Sequence, residues 1–189
     1  MKNSLRLASA IVALMTMGAS GMALAQDDSQ LTAEQLAAKF DAQHTRGLVI
    51  APSDGTVDPN AVDPNALPAD TTYVAMDATA QVNIQIKFGF DSAAISDGEL
   101  PKLATLCEVI KTSELPEFKI IGHTDSSGSD GYNQNLSKLR AEEVKRYMVE
   151  ECGVPDTKLI AVGVGEAFPM DAADPKADVN RRVEFQVAS

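Results

Sequence analysis

The chain has 189 residues, of which 27 are Asp or Glu and 16 are Lys or Arg, so its formal net charge is −11. A chain this acidic lacks the basic surface that binding to nucleic acid or to an anionic membrane requires. Its two cysteines and two widely separated histidines are too few for a zinc site. We therefore expect one globular domain with additional segments, no metal and no cofactor.

Residues 1–25 have the layout of a secretory signal peptide. A short basic region is followed by an apolar run at about residues 7–17, and small residues precede Gln26. This apolar run is shorter than the roughly 20 residues that a transmembrane helix needs. The pattern predicts export to the periplasm, with cleavage between Ala25 and Gln26. Whether the mature chain associates with the outer membrane is left open.

Residues 26–50 are predicted to contain a short helix. Thr32 and Gln35 have the spacing of a capping box at a helix start. Three apolar residues share one face of the helix that follows: Leu31, Leu36 and Phe40. Such a stripe suits a docking element, so an envelope protein is a candidate partner for residues 31–50.

Residues 51–80 are predicted to form an extended acidic linker. The stretch is rich in Pro, Asp and Asn and contains the sequence DPNA twice. Such a composition does not bury a core. Weak calcium binding is an alternative, but the stretch lacks the Gly-centred loop and closing Glu of a calcium site.

Residues 81–189 are predicted to form an α+β domain, a two-layer sandwich with the element order β-α-β-α-β-β. Residues 82–88 alternate strictly between apolar and polar side chains, which indicates a half-buried strand. The remaining elements are a helix in ELPKLATLCEVIKTS, a strand at 118–122, a long helix at about 131–151, and strands in KLIAVGVGE and RRVEFQVA. We expect the two helices to cover one face of the sheet and the other face to be wetter.

The loop that follows the second strand carries many polar side chains, beginning with HTDSSGSDG. A calcium loop that starts at Asp125 would place Asp130 where Gly is needed and Leu136 where Glu is needed. A catalytic serine beside His123 would need a nucleophile elbow, and no Gly-x-Ser-x-Gly is present. Asp–Ser pairs in a Gly-containing turn are more typical of local backbone hydrogen bonding.

The long helix places a charged residue, Arg140, in the same stripe as Leu136 and Val144. One interpretation is that Arg140 packs its aliphatic stem and pairs with Glu143. A second follows from the lean of helical side chains toward the N-terminus, which directs Arg140 toward the loop that holds Asp125. Opposite charges at one rim suit a zwitterionic ligand, since a carboxylate binds an ammonium and a guanidinium forks onto a carboxylate.

Four blocks of this sequence closely resemble the OmpA-like peptidoglycan-binding domain. The blocks are FGFDSAAI, IIGHTDSSGSDGYNQNLSKLRAEEVKRYM, VGVGE and NRRVEF, and the resemblance spans about residues 82–187. It implies binding of the diaminopimelate side chain in the peptidoglycan stem peptide, with Asp125 on the ammonium and Arg140 on the carboxylate. It further implies supporting roles in the pocket: Asn133 and Thr124 order it, Arg182 lies at its edge, and Phe90, Asp91 and Ser92 form the opposite wall.

The resulting hypothesis is a non-catalytic protein that binds peptidoglycan and tethers or scaffolds the Gram-negative cell envelope. An alternative is an interaction or adhesion protein whose pocket has drifted and whose acidic, calcium-binding tail makes the contacts. A periplasmic hydrolase is a third candidate.

The two cysteines lie on the apolar stripes of the two helices of the domain. Cys107 follows Leu103, and Cys152 follows Met148 by four residues. Two buried thiols are one interpretation, since free cysteines are common in cores. Because an exported protein meets oxidising conditions, we expect a structural disulfide with no part in ligand binding.

Overall fold

The structure is a computed structural model, and it describes residues 27–47, 73, 75–88 and 92–188. The expected cleavage site between Ala25 and Gln26 lies outside these residues, as does most of the expected linker. None of the helices in the described ranges combines the length and the apolarity needed to cross a bilayer.

Three helices and four strands make up the described part of the chain. In chain order they are α1 (Ala33–Gly47), β1 (Val82–Ile84), α2 (Pro101–Thr112), β2 (Phe118–Gly122), α3 (Asp130–Glu150), β3 (Leu159–Gly163) and β4 (Val183–Val187). Short 3-10 turns occur at Asp28–Gln30, Asp156–Lys158 and Asp178–Asn180. The predicted α+β class and the order β-α-β-α-β-β are confirmed.

The strands form one sheet in the order β1-β4-β2-β3. Strand β4 is antiparallel to both of its neighbours, whereas β2 and β3 are parallel. A parallel pair needs a crossover connection, and α3 provides it by packing over both strands.

Strand β1 is shorter than the alternating pattern predicts. It ends at Ile84, and only an isolated bridge between Phe88 and Ile95 continues it. Beyond Ile84, backbone N–H groups donate to side-chain oxygens instead of to the carbonyl groups of a neighbouring strand. Gln85 donates to Asp27 Oδ1 at 3.4 Å, and Lys87 donates to Glu99 Oε2 at 3.0 Å. The alternation therefore identified the strand but not the point at which it leaves the sheet.

One hydrophobic core lies between the sheet and the helices. Helix α2 contributes Leu103, Leu106 and Ile110, which are fully buried, and α3 contributes Val144 and Met148. They pack against the alternate side chains of the strands, among them Ile84, Ile120 and Phe185.

Helix α1 is part of this core. Leu36 and Phe40 are each 1 % exposed, and the rings of Phe40 and Phe118 meet edge to face with centroids 5.0 Å apart. The predicted capping box is confirmed, because Thr32 and Gln35 exchange backbone-to-side-chain hydrogen bonds. The apolar stripe therefore packs on its own domain, and it does not offer the free docking surface that we expected for a partner.

The second face of the sheet is buried, which corrects the expectation of a wetter face. Glu184 is 0 % exposed and accepts hydrogen bonds from Tyr73 at 3.1 Å and from Gln186 at 2.7 Å. Tyr73, from the end of the expected linker, also contacts the rings of His123 and Phe168. Polar side chains on this face are thus paired with one another, and polarity in the sequence did not mean exposure.

Cys107 on α2 and Cys152, just beyond α3, are joined by a disulfide. Their Cα atoms are 5.9 Å apart, which is an ordinary separation for such a bond. The bond links the two helices that pack on the same face of the sheet.

Candidate functional site

Two glycines let α3 lie directly on the sheet beside the candidate site. Gly122 and Gly163 are paired in register at the ends of β2 and β3. A Cβ atom at Gly122 would lie 2.1 Å from the carbonyl oxygen of Ser137, and one at Gly163 would lie 2.4 Å from the backbone nitrogen of Lys138. This close approach fixes α3, and with it Arg140, relative to the loop that leaves β2.

The loop that carries Asp125 is held by a dense set of hydrogen bonds. Asp125 Oδ1 accepts the N–H of Ser127 at 2.8 Å, the side-chain–backbone bond of a local turn. The amide of Asn133 donates to the carbonyl of Asp125 at 3.2 Å and also to Glu166. The N–H of Thr124 donates to Gly165 at 2.9 Å. Asn133 and Thr124 are both buried and hold the loop in place.

Asp125 is paired with Arg181, which was not among the predicted site residues. The guanidinium of Arg181 lies 2.5 Å from Asp125 Oδ2 and 2.5 Å from Asp178 Oδ1. Burial by itself raises the pKa of the Asp125 carboxyl, but the hydrogen bonds from Arg181 and Ser127 outweigh it and hold the pKa below its usual value. Asp125 is therefore an ionised carboxylate whose charge is paired with a cation of the protein itself.

Arg140 is buried, with 7 % of its surface exposed. Its Nε donates to the carbonyl of Ser92 at 3.3 Å, and its guanidinium carbon lies 4.7 Å from the centre of the Phe88 ring. Burial lowers the pKa of Arg140, and the positive charge of Arg181 acts in the same direction. A guanidinium held over a ring in partly dry surroundings attracts an anion more strongly than one in water does.

A cleft of about 440 Å³ opens beside Arg140. Its charged lining residues are the cations Lys87, Lys102, Arg140 and Arg181 and the acids Asp27 and Asp178. Lys102 is already paired with Glu99 at 2.6 Å. A small ligand with both an anionic and a cationic group fits this mixed charge.

Of the four remaining predicted site residues, one contacts Arg140, two lie outside the described residues and one lies away from the cleft. Ser92 contributes its carbonyl oxygen to Arg140, as described above, whereas Phe90 and Asp91 lie outside the described residues. Arg182 does not reach the cleft. Its Nε donates to Asn83 Oδ1 at 3.0 Å, and its NH2 group lies 3.7 Å from Glu184 Oε2, on the opposite face of the sheet.

Arg181 occupies the place at the cleft that was expected for Arg182. A signal for this was present in the sequence, because neighbouring residues along a strand point to opposite faces. Arg182 lies two residues before Glu184, so both side chains point to the polar face of the sheet. Arg181 lies two residues before Val183 and four before Phe185, so it points to the same face as these apolar residues. That face is the one covered by the helices, and α3 carries Arg140 on that side.

His123 belongs to the polar face and not to the cleft. It is 1 % exposed, and its Nε2 lies 3.1 Å from Glu184 Oε2. Burial lowers the pKa of its imidazole. Within the described ranges, no three His, Cys, Asp or Glu side chains are grouped as metal ligands would be.

The chain belongs to the OmpA family. Residues 87–182, about half of the chain, match the model of the OmpA family. Outer membrane porin F of Pseudomonas aeruginosa is 35% identical over 128 residues, which cover 67% of this chain and 35% of that protein. Outer membrane protein A of Bordetella avium is 30% identical over 150 residues, which cover 78% of this chain and 73% of that protein.

A solved structure is also similar to part of this chain. The peptidoglycan-associated lipoprotein from Burkholderia pseudomallei aligns with a TM-score of 0.46 and 30% identity, over 53% of this chain and 86% of that chain. The chain described here spans about a third of the length of porin F.

Proposed function

We propose that this protein binds peptidoglycan without catalysing a reaction, and that it holds the zwitterionic end of diaminopimelate in the stem peptide. The observation that carries the proposal is the buried guanidinium of Arg140 beside a cleft of about 440 Å³. Membership of the OmpA family supports it, since the sequence blocks that form this site are the ones that resemble the family's peptidoglycan-binding domain.

The ligand is bound by two charge pairs. Arg140 forks onto the ligand carboxylate, with its own position held by Ser92 and the ring of Phe88. Asp125 accepts the ligand ammonium, which replaces Arg181 on its carboxylate. Arg181 stays at the rim of the cleft because Asp178 also binds it at 2.5 Å. Asn133 and Thr124 keep the loop of Asp125 in its binding geometry.

The proposed location is the periplasm, in contact with the cell wall and near the outer membrane. The predicted signal peptide and the outer-membrane names of the relatives support this. In that location the protein tethers or scaffolds the envelope. An envelope protein that bound residues 31–50 would have to use the outward face of α1, since Leu36 and Phe40 are buried.

Co-sedimentation with purified sacculi tests the proposal. Arg140→Ala and Asp125→Ala should each lose most binding, because truncating one partner of a desolvated charge pair costs about 2–5 kcal/mol. Arg140→Lys should also bind weakly, since an ammonium cannot fork onto a carboxylate.

Arg146→Ala is the matched control. Arg146 lies on the same helix, is half exposed and pairs with Glu143 and Glu150, away from the cleft. Sedimentation of the Arg140→Ala variant at the parent's level would refute the site. Binding that disappears when calcium is chelated would favour the acidic tail instead, and release of soluble wall fragments would indicate a hydrolase.

A further inference from the structure

One residue of the cleft lining comes from a segment far before the matched family region. Asp27 lines the same cleft as Arg140 and Arg181, although it lies 60 positions before residue 87, where the family match begins. The fold brings it there, because the chain before α1 runs along β1 and the residues that follow it.

The residue next to Asp27 anchors this segment. Asp28 is fully buried, and its carboxylate accepts the N–H of Asn83 at 2.9 Å and the ammonium of Lys39 at 2.8 Å. Lys39 in turn donates to the carbonyl of Gln81 at 2.9 Å. The segment is thus held to β1 by the Asn83 hydrogen bond and to α1 by a partly buried ion pair, and the position of Asp27 at the cleft is set by the tertiary structure.

The carboxylate of Asp27 is oriented but not neutralised by these contacts. Its Oδ1 accepts the N–H of Ser29 at 3.0 Å and the N–H of Gln85 at 3.4 Å. Both donors are neutral backbone groups. Asp125, in contrast, already holds the guanidinium of Arg181. A ligand ammonium must displace Arg181 to reach Asp125, whereas at Asp27 it meets a carboxylate whose described donors carry no charge.

We propose that Asp27 is a second receptor for the ammonium of the zwitterionic ligand and contributes to the specificity of the cleft. This inference rests on the proposed function. Asp27 attracts the ammonium from the side opposite the family region, while Arg140 holds the ligand carboxylate. The two interactions together favour a ligand that carries both charges over one that carries the carboxylate alone.

Titration calorimetry with two ligands tests the proposal. The probes are a stem tripeptide that ends in meso-diaminopimelate and the same tripeptide with the diaminopimelate side-chain ammonium acetylated. In Asp27→Asn the amide oxygen still accepts the N–H of Ser29, since Asn caps such turns as well as Asp. We expect this variant to bind the ammonium ligand about tenfold more weakly and the acetylated ligand as the parent does.

Glu34→Gln serves as the control, because Glu34 lies on α1, is exposed and lines a different cavity. Equal affinity of the Asp27→Asn variant and the parent for the ammonium ligand would overturn the inference. An equal loss for both ligands would also overturn it, because that result indicates a general disturbance and not a contact with the ammonium. Arg140→Ala, measured in parallel, separates the two proposals: if it retains full binding, the proposed function itself fails.

Discussion

Replacing Gly122 by alanine tests how the fold supports the site. The added Cβ would lie 2.1 Å from the carbonyl oxygen of Ser137, whereas ordinary contacts begin at 3.4 Å. Since both atoms belong to the backbone framework, no side-chain rotation relieves the clash, and α3 must move away from β2 by about 1 Å. Overpacking of this kind costs about 1–3 kcal/mol. The same displacement moves Asn133 and Arg140, which α3 carries.

Gly122→Ala should therefore lower both stability and ligand binding. Urea denaturation should show the loss of about 1–3 kcal/mol, and the variant should sediment less well with sacculi than the parent does. Gly131→Ala is the control, because a Cβ there meets nothing within 4 Å and alanine suits the first turn of a helix. If Gly122→Ala unfolds at the parent's urea concentration and still sediments fully, the close approach of α3 does not position the site.

Three further predictions concern the disulfide, the neighbouring arginines and pH. Replacing Cys107 and Cys152 together by alanine should lower the free energy of unfolding by about 4 kcal/mol, the chain-entropy value for a separation of 45 residues, and urea denaturation measures it. Arg182→Ala should destabilise by about 3–5 kcal/mol because it removes the cation whose guanidinium lies 3.7 Å from the buried carboxylate of Glu184. Arg181→Ala, with a side chain 38 % exposed, should change stability by about 1 kcal/mol or less in the same assay. The pKa of Asp125 is lowered on folding, so its carboxylate stabilises the fold above its unfolded pKa, and this stabilisation disappears as pH falls through the folded pKa. Acid titration of Asp125→Asn should therefore show a smaller loss of stability between neutral pH and about pH 3 than in the parent.

Much of the domain follows from the sequence by local rules. The period of two at residues 82–88 identified a strand, and the apolar stripe that contains Leu103 and Cys107 identified the buried face of α2. The capping box at Thr32 identified the start of α1, as confirmed by its hydrogen bonds. Such signals depend on residues a few positions apart, and they can therefore be recognised in the sequence without knowledge of the fold.

Only part of the candidate site could be predicted from the sequence. The lean of helical side chains predicted that Arg140 points toward the loop of Asp125. In the structure, Arg181 joins the two, since it lines the same cleft as Arg140 and binds Asp125. The arginine at the edge of the pocket was predicted to be Arg182 and is Arg181, because choosing between the two requires knowing which face of β4 turns toward α3. A shift of one residue along a strand moves a side chain to the other face of the sheet.

Other features depend on contacts between residues far apart in the chain. The apolar stripe of α1 was evident, but only the packing of Phe40 on Phe118 shows that it belongs to this domain's own core. Glu184 is polar in the sequence and fully buried in the fold, because its hydrogen-bond partners come from distant positions. Asp27 lies at the cleft because long-range contacts hold its segment, with Asp28 bonded to Asn83 and Asp27 itself to Gln85. The sequence by itself determined most of the elements and singled out Asp125 and Arg140 as candidate site residues, whereas the long-range pairing of the backbone decided which side chains surround them.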